Sequence, residues 1–464
     1  MSIQTFNIEA DTQDLKVNPE MKLLYGEIFT PFSLIEKMFS LFPSEVFSNP
    51  DKKWLDSGAG TGFFSMFLYK KLDRGLKKQF PRARIRHNHI IKNMIYMVEI
   101  RDENIAKLKT VFGKHANIYH QNFLSDFHFP MFDYVIGNPP YNSNGMKKVP
   151  TNKLKKKKQD GQTIWLDFIK RAISLLKQNG RLLYIVPSLW MKPDKAMAYD
   201  YITQFKLHKI CCLTNTETNK YFNREAQTPT CYFTLEKTDT DYQVLLYDNQ
   251  RDKFINHKIE NKGAIPLFAA SVIQKLIKYV DDVGAINVVK TNMPKKKSLF
   301  SQTLSKGYYH KNIKTCILNK LTPELVINYS NIKQAYAEQP KLILAHKMYG
   351  FPYVDELGEF GISNRDNYVI VERNVEELKI LREFFSTKTA LYIFEATRYR
   401  MKYLEKYAFE FIPDVTRLQD FPKVINDTTI AEYFGFDEID KKNIQDYHKK
   451  PYNFNFNSIE INSY

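Results

Sequence analysis

The sequence predicts an α/β fold: a doubly wound, mostly parallel sheet across the first half, then a second, α+β domain. Three observations carry this. From Trp54 to Leu235, apolar strand-like runs alternate with stretches of helical periodicity, the pattern of successive βαβ units. The strand-like runs end in glycine or proline punctuation, as in Gly58-Ala59-Gly60 and Asn138-Pro139-Pro140. From about Thr240 the alternation loosens into short strands and separate helices, without repeats. The expected organisation is a polar leader over 1–21, a first domain over 22–240, a second over 241–425 and a helical cap over 426–464.

Composition narrows the class. A chain of 464 residues with 43% hydrophobic content can bury a core, which excludes wholesale disorder. No apolar run approaches the ~20 residues of a membrane helix, and Met1 to Asp11 lacks the features of a signal peptide. The four cysteines, Cys211, Cys212, Cys231 and Cys316, show no metal spacing and fit reduced thiols, so a cytoplasmic protein without a metal centre is expected. The net charge of +17 favours a polyanionic partner. A lysine-rich proteome would give the same total, so the placement of charge is more informative than its sum.

In chain order, Phe29-Thr30-Pro31 opens a helix whose apolar positions are Leu34, Ile35, Met38 and Phe39. Thr30 is expected at the N-cap and Pro31 at the first helical position, a start that suits a ligand carboxylate. Trp54-Leu55-Asp56 then reads as a strand leading into the turn Ser57 to Gly62 and a helix. An acid ahead of the glycines suits a cationic amino-acid ligand better than a phosphate, so Asp56, Gly58 and Gly60 are candidate cofactor contacts. A basic insert from Lys70 to Lys92 follows and reads as a solvated face. The strand Met94 to Ile100 carries Glu99 at its tip, placed to accept from the hydroxyls of a ribose. A helix over Asn104 to Phe112 and a short strand at Ala116 to Tyr119 come next.

The run Asp133 to Gly137 ends in Asn138-Pro139-Pro140-Tyr141. Neither proline can donate a ladder hydrogen bond, and each drives its predecessor to extended backbone, so a stiff loop must leave the strand's carboxyl end. In open α/β sheets that edge binds ligands. The Asn138 side-chain oxygen and the Pro139 carbonyl form a close pair of acceptors. Such a pair draws the lone pair of an exocyclic amine out of conjugation with its ring, and Tyr141 offers a face for stacking. Beyond it, Lys147, Lys148, Lys155, Lys156, Lys157 and Lys158 crowd a segment that cannot form a core and would meet nucleic-acid phosphates. An amphipathic helix from Ile164 to Leu176 with Asn179-Gly180 as its C-cap, a strand from Arg181 to Val186, and a loop from Tyr221 into an edge strand complete the first domain.

These motifs, in this order over the first half of the chain, resemble the gamma class of DNA adenine-N6 methyltransferases. The resemblance implies a class I fold and S-adenosylmethionine (SAM) held by the loop at Asp56 to Gly60. It makes Asn138-Pro139-Pro140-Tyr141 the catalytic loop. Asn122 stands where the family usually has an acid against the cofactor's adenine amino group; its carbonyl can still accept that bond. Phe123 beside it can pack on the adenine ring. The aromatic that stacks on the flipped base carries over to Phe222, with Tyr221 as the rival. Residues 241–425 become a target-recognition domain, with Arg365, Arg398 and Arg400 as candidate DNA contacts. Duplex DNA is the implied partner, and a cognate restriction endonuclease a possible second; the short leader leaves no room for a fused nuclease. An RNA-adenine or protein-glutamine methyltransferase would use the same loop, and a non-catalytic DNA-binding partner remains a further alternative.

Overall fold

The computed structural model describes residues 29–142, 163–223, 226, 228–261, 263–319, 322–346, 350–399, 403–447 and 459–463. The expected leader, the lysine segment 147–158 and Arg400 lie outside them. The chain forms two compact units, the first of residues 1–247 and 258–262, the second of residues 248–257 and 263–464.

The first unit is built on a sheet whose strands are β1 (Trp54–Asp56), β2 (Ile95–Glu99), β3 (Asn117–His120), β4 (Phe132–Gly137), β5 (Leu176–Pro187), β6 (Phe205–Leu213), β7 (Thr230–Asp239) and β8 (Gln243–Asp248). Their order across the sheet is β3-β2-β1-β4-β5-β7-β6-β8. All neighbours up to β5 are parallel, which is the doubly wound fold read from the alternation. The winding steps outward from β1 to β3, then returns to the other side of β1 for β4. The gap between the carboxyl ends of β1 and β4 is therefore the topological switch point, where doubly wound sheets open a crevice. Towards the amino ends of the same two strands, Trp54 and Tyr134 stack with centroids 3.9 Å apart, and Trp54 is fully buried. That aromatic contact locks the two central strands together below the crevice.

Two local readings differ from the structure. β7 is not an edge strand: it lies between β5 and β6, antiparallel to both. Its run Thr230 to Leu235 is buried throughout, as a strand flanked on both sides requires. Asn179 and Gly180 do not cap a helix either. The helix Trp165–Leu175 ends where Leu176 turns extended, and Asn179, at φ 61°, sits within β5, whose pairing with β4 slips between Phe132 and Tyr134. An αL residue beside glycine serves a bulge as well as a cap. The basic insert is ordered: Ala83–His89 is a helix whose Arg86 is buried against Asp73 at 2.7 Å.

The second unit is α+β. A four-stranded antiparallel sheet runs Val289–Lys290, Asn367–Ile370, Lys341–Ala345, Tyr353–Asp355. A second sheet is built on the hairpin pair His310–Asn319 and Thr322–Ser330, which the sequence reading passed over. Their shared core includes Ile313, Cys316, Leu325, Ile343, Phe351 and Val369. The expected terminal cap contains helices Asp427–Tyr433 and Glu438–Tyr447, and then a strand, Glu460–Ser463, parallel to Thr322–Ser330. Among the described residues no helix is long and apolar enough to cross a membrane.

Candidate active site

A cavity of about 480 Å³ opens at the switch point. Its walls include Phe29 and Thr30 before the first helix, the turn after β1, the tip of β2 with the loop after β3, the loop Asn138 to Asn142 after β4, and side chains of the flanking helices such as Phe63, Asn104 and Phe168.

The turn after β1 is held from both sides. The Ser57 amide donates to the Ile136 carbonyl of β4 at 3.3 Å, and the Ala59 amide to the Val98 carbonyl of β2 at 2.8 Å. Gly60 adopts φ +53°, and a Cβ on either Gly58 or Gly60 would meet nothing within 4 Å. The space over this turn is therefore ligand-sized and open. Glu99 is fixed from behind, since its Oε2 accepts the Gly60 amide at 2.7 Å and its Oε1 the Arg101 amide at 2.9 Å. Two backbone donors thus hold this carboxylate, 7% exposed, in place on the cavity wall.

At the loop after β4 one hydrogen bond spans 108 residues: Asn138 Nδ2 donates to Thr30 Oγ1 at 3.0 Å. This corrects the reading of Thr30 as a cap. Pro31 is the N-cap, the helix runs Phe32–Phe39, and no side chain caps it. Thr30, 4% exposed, instead holds the Asn138 amide nitrogen. The opposite atom, Asn138 Oδ1, is buried without a hydrogen-bond partner. So is the Tyr141 hydroxyl, whose ionisation burial pushes far up, with the Cys231 thiol nearby adding to it. The Tyr141 residue as a whole is only partly buried, and it lines the cavity. Gly137, at φ +149°, lets the loop leave β4 close to its neighbour; a Cβ there would press on Ser57 Oγ at 3.2 Å.

Of the residues named from sequence, Phe29, Thr30, Gly58, Gly60, Glu99, Asn122, Phe123, Asn138, Pro139, Pro140 and Tyr141 converge on this one cavity. Three do not line it. Asp56 lies under the turn, 1% exposed, with Oδ2 accepting from Ser65 Oγ at 2.8 Å; burial raises its carboxyl to about 7. Pro31 caps the helix instead. Phe222, 3% exposed, packs in the core, while the neighbouring Tyr221 ring takes the Lys37 ammonium at 5.7 Å. Asn122 already accepts the Leu124 amide on Oδ1 at 3.0 Å, so that oxygen reaches a ligand only through its second lone pair. The sequence reading missed Asn104, Gln121, Ile164 and Phe168 on the walls. Phe168 packs on Phe123 with centroids 5.2 Å apart, from the inward face of a strongly amphipathic helix. That face was the available signal, but periodicity does not say which cavity a face borders. Among the described residues no group of three or more His, Cys, Asp or Glu could hold a metal.

Residues 33–222 match the family of Eco57I restriction-modification methylases. Two curated proteins are similar. An uncharacterised adenine-specific methylase of Mycoplasma pneumoniae is 24% identical over 326 residues, covering 51% of this chain and 71% of that protein. The type II methyltransferase M.AccI of Acinetobacter calcoaceticus is 26% identical over 186 residues, covering 38% of this chain and 31% of that protein. Among solved structures, the M protein of the type I restriction enzyme EcoKI aligns at 19% identity with a TM-score of 0.36, covering 49% of each chain. This chain thus spans about a third of M.AccI and about half of the EcoKI M protein. Topology, motif order and the match over residues 33–222 together give the chain a class I methyltransferase fold and make it similar to the adenine-specific enzymes of restriction–modification systems.

Proposed function

We propose that this chain transfers a methyl group from SAM to the exocyclic N6 of an adenine flipped out of double-stranded DNA, as the modification enzyme of a restriction–modification system in the cytoplasm. The observation that carries the reading is Asn138 Oδ1. It is a buried acceptor without a partner, on a residue that lines a cavity large enough for a nucleoside, in a loop that prolines keep stiff. Buried acceptors are rarely left unmet in native proteins, and at a cavity wall the missing partner is a ligand.

The walls fit SAM. Open space over Gly58 and Gly60 admits it, Glu99 would accept from its ribose hydroxyls, and Phe123 and Asn122 would flank its adenine. Thr30, beside Asn138, would stand near its amino-acid end. Bound there, SAM supplies an activated methyl on a sulfonium. The chain's own residues do the rest. Thr30 fixes the Asn138 amide so that Oδ1 faces the target. Oδ1 and the Pro139 carbonyl accept the two amino hydrogens, and the nitrogen lone pair is freed from the purine ring. These are fixed dipoles in a site that excludes water, so they need no reorganisation as charge develops. Asn138 is an uncharged acceptor and polarises the amine without removing its proton; methyl transfer leaves the sulfonium a neutral thioether, and the methylated nitrogen, then cationic and strongly acidic, gives its extra proton to water. Tyr141 stacks on the extruded base and offsets part of the few kcal/mol that flipping costs. Phe222 could join it only by leaving its core position. Asp56 acts beneath the turn as a positioning residue, through Ser65. Lys147, Lys148 and Lys155 to Lys158 would lie along the phosphates.

The test offers tritium-labelled SAM with duplex DNA, single-stranded RNA and mixed protein, followed by nucleoside analysis. Label in duplex DNA recovered as N6-methyladenine is expected. Label confined to RNA or protein, or recovered in cytosine, rejects the reading, and a protein that binds SAM but labels nothing points to a non-catalytic partner. Co-expression with a companion endonuclease, and protection of the host DNA from it, would establish the restriction–modification role.

A further inference from the structure

We propose that the lysine-rich turn and hairpin between Met293 and Lys306, in the second unit, is a docking surface for the phosphate backbone of duplex DNA, with Leu299 and Leu304 as apolar contacts beside it. The choice of polyanion rests on the function proposed above; the surface itself is independent of it.

Between Asp282 and Glu324 the chain has no acidic residue and eight lysines, although it carries 51 acids in all. Lys295, Lys296, Lys297 and Lys306 are exposed, and among the described residues none of the four forms an ion pair. Their turn is built into the fold. Gln334, 2% exposed, accepts the Lys295 amide on Oε1 at 3.3 Å and donates from Nε2 to Ser298 Oγ at 2.9 Å and to the Ile332 carbonyl at 3.0 Å. Ser298 Oγ donates in turn to the Lys295 carbonyl at 2.6 Å. The Leu299 amide donates to Asn331 Oδ1 at 2.7 Å, and Phe300–Ser301 pairs antiparallel with Tyr329–Ser330. Lys297 is held at φ +67°, a left-handed conformation uncommon for a residue with a side chain.

Three consecutive exposed lysines thus stand on one turn whose backbone is fixed. Like charges on a rigid turn repel one another, and an opposing row of phosphates would relieve that repulsion and release counterions. Interleaved with them, Met293, Leu299 and Leu304 are 68%, 58% and 61% exposed. Apolar side chains next to lysines suit sugars and base edges in a groove. An anionic membrane surface also accepts lysines mixed with apolar groups, but it selects amphipathic helices. This segment is a turn and a two-residue strand.

The experiment compares the full chain with the variant Lys295→Ala/Lys296→Ala/Lys297→Ala. Binding to a fluorescent duplex is followed by anisotropy over a salt series, alongside binding to vesicles of mixed neutral and anionic lipid. In the variant, duplex affinity should fall roughly tenfold or more near 0.1 M salt. The slope of log affinity against log salt should fall by about three, one for each lysine. SAM affinity and thermal midpoint should not change. A second variant, Leu299→Ser/Leu304→Ser, should weaken binding without changing the slope. A triple variant with wild-type affinity and slope overturns the proposal, as does a wild-type chain whose vesicle binding alone depends on these lysines. Lysine-dependent duplex binding without methyl transfer would keep the docking surface and reject the proposed function; transfer to duplex that ignores the lysines would do the reverse.

Discussion

At the carboxyl edge of the first sheet, Asn138 Oδ1 and the Tyr141 hydroxyl are buried and have no partner. In the second unit, Lys341 is fully buried too, but its ammonium sits 2.5 Å from Asp355 and donates to the Gln339 carbonyl at 3.2 Å. Asp355 in turn accepts the backbone amides of Glu359 at 2.9 Å and Phe360 at 3.0 Å. Burial drives the Lys341 pKa down, and Asp355 opposes that shift. Burying polarity is costly in both places. Around Lys341 and Asp355 the folded chain meets the cost by itself, so that cluster is structural. At the cavity two buried polar atoms are left unmet by the folded chain, as the proposed function requires of a loop that receives a base.

The largest expected effect that would sharpen this contrast is on chemistry. Asn138→Ala should lower methyl transfer by roughly 10²–10³-fold or more, as loss of one preorganised polar group does elsewhere. SAM binding measured by calorimetry should stay within a few-fold. An equal loss of both would assign Asn138 to cofactor binding and break the contrast.

The next effect is on stability. Asp355→Ala strands a buried ammonium and two amides, and should destabilise the second unit by about 3–5 kcal/mol in urea titration. Lys341→Met should cost less, because Asp355 keeps its two amide donors. Equal losses would show that the pair is not organised around the carboxylate.

The smallest effect separates two tyrosine hydroxyls within the first unit. Tyr184, fully buried on β5, shares a 2.5 Å hydrogen bond with Ser57 of the turn after β1. Tyr184→Phe should cost about 1 kcal/mol, whereas Tyr141→Phe deletes an unmet hydroxyl and should be neutral or stabilising by about 1 kcal/mol in the ligand-free protein. Thermal melts of the two variants that shift in the same direction would contradict the assignment of partners.

Much of the site was legible because its determinants are local. Prolines after Asn138, glycines after Asp56 and an acid at the tip of β2 each act on their own few residues of backbone. Alternation with helices then put all three at one sheet edge. The misreadings share the opposite property. Thr30 has the composition of a cap, but its hydroxyl is taken by an amide 108 positions away. Asp56 reads as a ligand contact, yet sits one layer below, bonded to Ser65. Phe222 carries the right residue type, and only packing shows that the core claims it.

The sequence by itself determined which segments form the parallel strands β1 to β5, where the stiff loop leaves β4, and which residue types stand at the ends of β1, β2 and β4, because backbone stereochemistry and apolar periodicity act over short range. Only the tertiary structure decided that β7 inserts between β5 and β6, that Thr30 turns Asn138 so that one oxygen is left waiting, and that Gln334 pins a lysine turn. Those outcomes depend on pairings between distant parts of the chain, which compete with local preference and leave no periodic trace in it.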